Sequence, residues 1–199
     1  MKRARVIGER VYLRPMERSD LTEEYLDWIN DPEVNEHILA SGFPVNRDSL
    51  ESYFDKSQPP NCVMFAICDR ENDRHMGNAR LSNIDWVHRM ALYGRMIGRA
   101  EYRGKGYGSD ALIQLLRFGF HHLGLNRIWS AAVVTNEISL GSNDKVGMTR
   151  EGVLRQFFYI GGQYRDGVAL SMLRQDFDEK FGGPEAWVEK DRANVADKA

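Results

Sequence analysis

Three glycines at alternate positions, 104, 106 and 108, stand where the hydrophobic period of this chain changes from two residues to the helical repeat. Upstream, Val63-Met-Phe-Ala-Ile-Cys68 reads as a continuous apolar strand, His75 to Leu81 as its hairpin partner and Ala91 to Ile97 as a third strand. Downstream, from Ser109 to Leu123, apolar residues at 112, 115, 116, 120 and 123 follow helical spacing. A helix that starts directly after a strand offers free backbone N–H groups and the positive end of a dipole at its first turn. Glycines let that backbone approach an anion with no Cβ in the way, and Arg103 and Lys105 add charge. The chemistry this suits is binding a phosphate or pyrophosphate.

The remaining elements place this turn mid-chain. Val11 to Arg14 is a short strand, and Asp20 with Glu23 three residues on predicts an N-cap for a helix through about Trp28. A second helix spans about Asn46 to Lys56. After the glycine turn and its helix come a strand from Ile128 to Val134 and a short helix from Ile138 to Val146. Val153 to Ile160 and Tyr164 to Leu173 form a hairpin across Gly161-Gly162. The order β-α-α-β-β-β-α-β-α-β-β predicts a mixed α/β (α+β) sheet of about seven strands with about four helices on its faces. No linker or internal repeat divides it, so 1–181 reads as one domain and 182–199 as a polar tail, frayed or helical.

At 199 residues the chain is long enough for one sizeable core. Its 27 basic and 29 acidic residues balance to −2, without the basic excess of a nucleic-acid binder. No apolar run has the length to span a bilayer, and the basic start lacks the apolar segment of a secretory signal. Cys62 and Cys68 have no partners at zinc-ligand spacing and read as buried free thiols, so no metal is expected. Together these features predict a cytoplasmic protein.

Several ligands compete for the turn. A phosphate loop of the Walker type fails, because Gly98 to Gly104 is one residue too long and Gly106 follows Lys105. A dinucleotide fingerprint can be forced onto Gly106-x-Gly108-x-x-Ala111, but the acidic residue expected about 20 positions on is absent from Trp129-Ser-Ala-Ala132. A glycine-rich loop with no ligand is the bland alternative. The remaining pattern, Arg/Gln-x-x-Gly-x-Gly/Ala, is met by Arg103-Gly-Lys-Gly-Tyr-Gly108.

Here the sequence resembles the GNAT superfamily of N-acetyltransferases, from about residue 8 to 175. Leu13-Arg-Pro15 with Asp20-Leu21, then Trp28-Ile-Asn-Asp-Pro-Glu-Val34, looks like its ribosomal-protein-alanine, polyamine and amino-sugar branch. His88-Arg89 through Gly94 and Met96-Ile-Gly98 resembles the strand before the turn, and Asn136-x-x-Ser139, Lys145-Val-Gly-Met148 and Glu151-Gly152 the block after it.

The resemblance implies a mostly antiparallel sheet splayed between its fourth and fifth strands, with the pantetheine arm of acetyl-CoA in the gap. Backbone groups of Met96, Ile97 and Gly98 would pair with that arm. Arg103, Gly104, Lys105, Gly106, Tyr107 and Gly108 would hold the pyrophosphate, with Ser109 near the helix start. Asn136 would bond the arm from the other side, and as a residue just before a helix it also reads as an N-cap.

Attack of a neutral primary amine on the thioester needs a base, an oxyanion donor and an acid for the thiolate. The N–H near Ile97 is the expected donor, Ser139 the candidate acid, and His88 with Asp85 the candidate base. Asn143 and Leu92 replace the tyrosine and glutamate that relatives use. Trp28, Glu33, His37, Asp85 and Trp86 are the expected acceptor-site residues, with Phe43 in the same wall. The resemblance implies transfer from acetyl-CoA to a protein N-terminus, polyamine or amino sugar, with a homodimer as the assembly. A non-catalytic acyl-CoA-binding module is the rival reading, kept alive by the replaced tyrosine and glutamate.

Overall fold

The computed structural model describes residues 3–35 and 43–196, with the side chains of Glu33, Asn35 and 193–196 outside that description. The sequence begins with two short strands, β1 (Val6–Ile7) and β2 (Val11–Pro15). Helices α1 (Glu23–Asn30), α2 (Pro32–Asn35) and α3 (Arg47–Lys56) follow. Then come β3 (Val63–Asp69), β4 (His75–Asp85) and β5 (Met90–Ile97), and α4 (Tyr107–Arg117). The chain continues through β6 (Arg127–Val133), α5 (Glu137–Val146), β7 (Thr149–Ile160) and β8 (Gln163–Leu173) to α6 (Arg174–Phe181) and α7 (Pro184–Ala196).

The strands form one sheet in the order β1-β2-β3-β4-β5-β6-β8-β7. Every neighbouring pair is antiparallel except β5–β6. The eighth strand is β1, whose two residues pair with Tyr12 and Leu13. Two residues are too few to carry a period, which is why the sequence predicts seven.

Alternation along the strands divides the core. Phe65 and Ile67 of β3 face α4, whose Ala111, Leu112, Leu115 and Leu116 are fully buried. Met64 and Met96 point the other way, onto Tyr25 and Trp28 of α1 and Leu50 of α3. Cys62 and Cys68 are buried free thiols, and burial pushes both thiols up in pKa, away from nucleophilic use.

Two local features differ from the sequence reading. Thr22, not Asp20, caps α1, accepting from the Tyr25 N–H at 3.1 Å. Asp20 is held by both terminal nitrogens of Arg14 at 2.7 Å and by the Glu17 N–H at 2.8 Å. Burial alone would raise its pKa, and those bonds bring it below the usual carboxylate range. Helix α4 ends at Arg117 and widens into a π-helical turn over Phe118–His122, which still buries Phe120. The C-terminal segment is helical. Trp187 of α7 is buried against Phe177 of α6, under the Arg117 guanidinium, and Asp191 pairs with Arg117.

Glu151 of β7 ties the far edge of the sheet to β6. It accepts from Arg127 at 2.7 Å and from the Ser171 hydroxyl at 2.7 Å. The Arg127 bond first, then Ser171, lowers its pKa to about 2. A depressed carboxylate stabilises the fold fully above its unfolded pKa of about 4.3, and that stability is lost as pH falls through about 2. Glu151→Gln is therefore expected to lower the melting temperature at pH 6 and to converge on the parent as pH falls to 2. The half-exposed pair limits the effect to under about 1 kcal/mol. Melting curves across that range check it; a gap that widens in acid contradicts it.

Candidate active site in the gap between β5 and β6

The site is made by one sheet pairing that stops early. β5 and β6 pair in parallel at Met90, Ala91 and Leu92 with Arg127, Ile128 and Trp129, and nowhere beyond. Past that point β5 stays on β4 and β6 stays on β8, so the two strands diverge with facing open edges. The Gly98 N–H donates to the Met76 carbonyl at 2.9 Å. In an antiparallel ladder the bonding direction alternates, so Met96 and Gly98 bond towards β4, while Tyr93, Arg95 and Ile97 present their amides to the gap. Of Met96, Ile97 and Gly98, only Ile97 therefore has its backbone on the open edge.

The glycine turn sits directly beyond this edge. Gly104 and Gly106 have φ of +71° and +89°, which side chains rarely adopt, and a Cβ at 104 would meet nothing within 4 Å. Gly106 is the N-cap of α4 and no side chain caps it, so the first N–H groups of the helix face outward from a bare glycine turn. These groups and the open β5 edge fit a diphosphate with an extended amide arm, the chemistry of a CoA.

The Arg103 side chain turns back. Its Nε donates to the Ile97 carbonyl at 3.1 Å, its Nη2 bonds the Gly98 carbonyl, and Asp31 lies 3.6 Å away. Lys105 is exposed, Tyr107 packs edge-on against Tyr102, and the Ser109 hydroxyl bonds Ser142 of α5 at 2.7 Å. Asn136 is the N-cap of α5, accepting from the Ser139 N–H at 2.9 Å.

A cavity of about 570 Å³ runs through the gap. β5 and β6 contribute to its walls, together with Asn136 and Ser139, Tyr25 and Tyr53, and residues 157–160 of β7. Asn136 and Ser139 are thus brought together with the open edge of β5 at Arg95.

Other expected acceptor residues lie elsewhere. Asp85, Trp86 and His88 occupy the β4–β5 turn, at the end where β5 and β6 are paired and the sheet is closed, and they do not line the cavity. His88 is exposed and bonds Asp85 at 2.9 Å, and the Trp86 indole donates to the Pro60 carbonyl at 3.2 Å. Trp28 is buried flat on Gly98, where an added Cβ would fall 2.1 Å from the ring, so it packs the core under α1. Phe43 is exposed. The side chain of Glu33, and His37 entirely, fall outside the described residues.

The structure also adds residues. Tyr93 lines the cavity, and its hydroxyl donates to Asn143, at the position where the family resemblance leads one to expect a tyrosine. Burial raises the Tyr93 pKa. Arg80 of β4 and Arg95 of β5 line the cavity too, and burial lowers the pKa of both. The sequence signal at Arg95 was an arginine inside an otherwise apolar strand, which costs free energy unless the charge is used, whereas β4 is too polar to single out Arg80.

The comparisons agree with this geometry. The family model for the acetyltransferase (GNAT) domain matches residues 10–149. An uncharacterized N-acetyltransferase, p20 of Bacillus licheniformis, is 30% identical over 172 residues, covering 85% of this chain and 96% of its own. Spermidine N(1)-acetyltransferase of Vibrio cholerae is 25% identical over 174 residues, 86% of this chain and 97% of its own. A crystal structure of the V. cholerae spermidine N-acetyltransferase with CoA and spermine superposes with a TM-score of 0.76 at 25% identity, over 84% of this chain and 98% of that one.

The chain belongs to the GNAT acetyltransferase family. It is an acetyl-CoA-dependent N-acetyltransferase.

Proposed function

We propose that the gap between β5 and β6 is where an amine attacks acetyl-CoA directly, with no acyl-enzyme. The observation that carries this reading is the open edge of β5 leading straight into the bare N-terminus of α4. The pyrophosphate lies on the turn from Arg103 to Gly108, with Lys105 and Ser109 beside it. Arg95, whose guanidinium bonds the Gly108 carbonyl, adds positive charge behind the turn. The pantetheine arm follows β5 at Ile97, framed by Met96 and Gly98, with Asn136 on its other side.

The chemistry then needs few groups. A neutral primary amine forms the C–N bond and the C–S bond breaks. The developing oxyanion accepts from the Ile97 N–H, and the Ser139 hydroxyl protonates the thiolate. The spare ammonium proton leaves to water in the cavity, and water returns a proton to the Ser139 oxygen. The acceptor amines that the family resemblance brings forward are protein N-termini, polyamines and amino sugars; relatives at 25–26% identity are named for spermidine.

Buried free thiols suit a cytoplasmic, reducing compartment. Among the described residues no helix is long and apolar enough to cross a membrane. Self-association would use β7, the sheet edge, where Val153, Phe157 and Tyr159 are exposed beside Tyr164 of β8.

Release of CoA thiol from acetyl-CoA, followed over a panel of amines, tests the reading. Release with at least one amine, and a product heavier by one acetyl group, is expected. Tight CoA binding with no release across the panel would favour the non-catalytic module instead.

A further inference from the structure

The cavity has two sides, and their charges differ in purpose. Arg80 on β4 stands opposite Gly94 on β5, so it shares a face with Gly94 and Met96 and not with Arg95. Met96 belongs to the cluster under α1 and α3, whereas Arg95 reaches the start of α4. Arg95 is therefore the cation of the cofactor side, and Arg80 that of the side where an acceptor enters.

Arg80 is unusual in its surroundings. Gly94 leaves room for it: a Cβ there would lie 3.2 Å from the Arg80 Nε. The guanidinium lies over the Tyr53 ring, 5.5 Å from its centre. Among the described residues it makes no hydrogen bond and no ion pair, although burial lowers its pKa and only the Tyr25 phenol acts against that. A partly desolvated guanidinium without a carboxylate costs free energy, and five N–H groups in a planar fork are left for a ligand. Beside it, the Tyr25 hydroxyl accepts from Asn78 at 2.7 Å, which leaves its own proton to donate.

No aspartate or glutamate is among the described residues that line the cavity. A polyamine carries several ammonium groups that would need carboxylates, and among the described residues on the acceptor side it would meet the Arg80 guanidinium. An anion meets the opposite field.

We infer that the acceptor is a primary amine that also carries a carboxylate, held by the Arg80 fork with the Tyr25 hydroxyl beside it. The inference rests on the acetyl-transfer reading above and narrows its acceptor. A planar carboxylate matches the guanidinium through two parallel bonds. From Gly94, opposite Arg80, to Ile97 is three residues of strand, about 10 Å. That is the scale of an acetyl group and one amino acid with a hydrogen bond of about 2.9 Å at each end, so the amine and the carboxylate belong close together, as in an α-amino acid. Tyr53, Leu92 and Ile29 give the same side apolar walls for its side chain.

The test compares matched acceptors on the whole protein. Each of the twenty α-amino acids is paired with its carboxamide, with spermidine as a further acceptor. Thiol release gives kcat/KM, and thermal shift with saturating CoA gives binding without turnover. At least one amino acid is expected to exceed its carboxamide by about 30-fold or more, the worth of a charge-assisted bidentate contact. In Arg80→Gln that ratio should collapse towards one, mainly through KM, while CoA affinity by calorimetry stays within twofold. Arg80→Lys should restore part of the ratio.

Spermidine or the carboxamides outperforming every amino acid would overturn the inference, as would a ratio that survives Arg80→Gln. If CoA itself fails to bind, the acetyl-transfer reading falls, and the carboxylate reading falls with it. If CoA binds but no thiol is released, the thermal shifts alone decide: stabilisation by an amino acid and not its carboxamide, lost in Arg80→Gln, upholds the carboxylate site, and no such stabilisation ends it.

Discussion

Gly106→Glu is expected to weaken CoA binding by about 100-fold or more while the protein remains folded. Gly106 is the N-cap of α4 at φ +89° and ψ −11°, with no capping side chain. A glutamate there places a carboxylate where the first N–H groups of α4 would receive a diphosphate. Loss of two charge-assisted contacts, at roughly 1.5–3 kcal/mol each, gives the size of the effect. The left-handed backbone adds a strain of about 1–2 kcal/mol to any non-glycine residue. Gly124→Glu supplies the control. Gly124 has φ +67° with nothing within 4 Å of its Cβ, and it lies at the opposite end of the α4 helix, so it carries the strain without touching the turn. Calorimetric titration with CoA and melting curves for both variants separate the two effects. CoA affinity within threefold of the parent in a folded Gly106→Glu protein would remove the turn from the site.

Asp110→Ala should produce the largest loss of stability of any single polar substitution near the turn, about 2–5 kcal/mol. Asp110 is buried in the first turn of α4, and its Oδ2 accepts from the backbone N–H groups of Arg10 at 2.7 Å and Val11 at 3.0 Å. Its Oδ1 accepts from Gln114 at 3.3 Å. Alanine leaves two backbone donors of the β1–β2 segment without an acceptor, each at about 1–3 kcal/mol. For a chain of this size that is a fall of roughly 5–15 °C in melting temperature. Asp110→Asn keeps one oxygen acceptor and should lose less. The bond also fixes the start of α4 against β2, so the alanine variant should bind CoA more weakly at temperatures where it is still folded. A melting temperature within 2 °C of the parent, well inside the roughly 5–15 °C expected, would show that these donors find other partners.

Local pattern was sufficient wherever neighbours in sequence are neighbours in space. The Gly161-Gly162 hairpin follows from two residues that both adopt positive φ, 59° and 77°. Asn136 caps the helix it precedes. Local pattern misled where a distant group competed for the same side chain. Asp20 has the spacing of a cap, but Arg14 takes both of its oxygens. His88 and Asp85 precede β5 as a catalytic pair would, yet three paired positions between β5 and β6 close the sheet beside them. Trp187 gives no sign in sequence that it will pack on Phe177, since a polar segment with one tryptophan has no period to read.

The strand–turn–helix at residues 91 to 123 follows from local pattern, because φ-permissive glycines, strand alternation and helical spacing are each properties of neighbouring residues. It therefore carried the acetyl-donor half of the reading. The proposed acceptor half rests on tertiary structure. Which face of β4 and β5 meets α1 and α3 is set by the register between those two strands, and that register puts Arg80 and Arg95 on opposite faces of the sheet. Whether an arginine is paired depends on every element around it, and at Arg80 the described residues supply an aromatic face and no carboxylate. Charge complementarity is a sum over the whole cavity wall, and no window of sequence contains it.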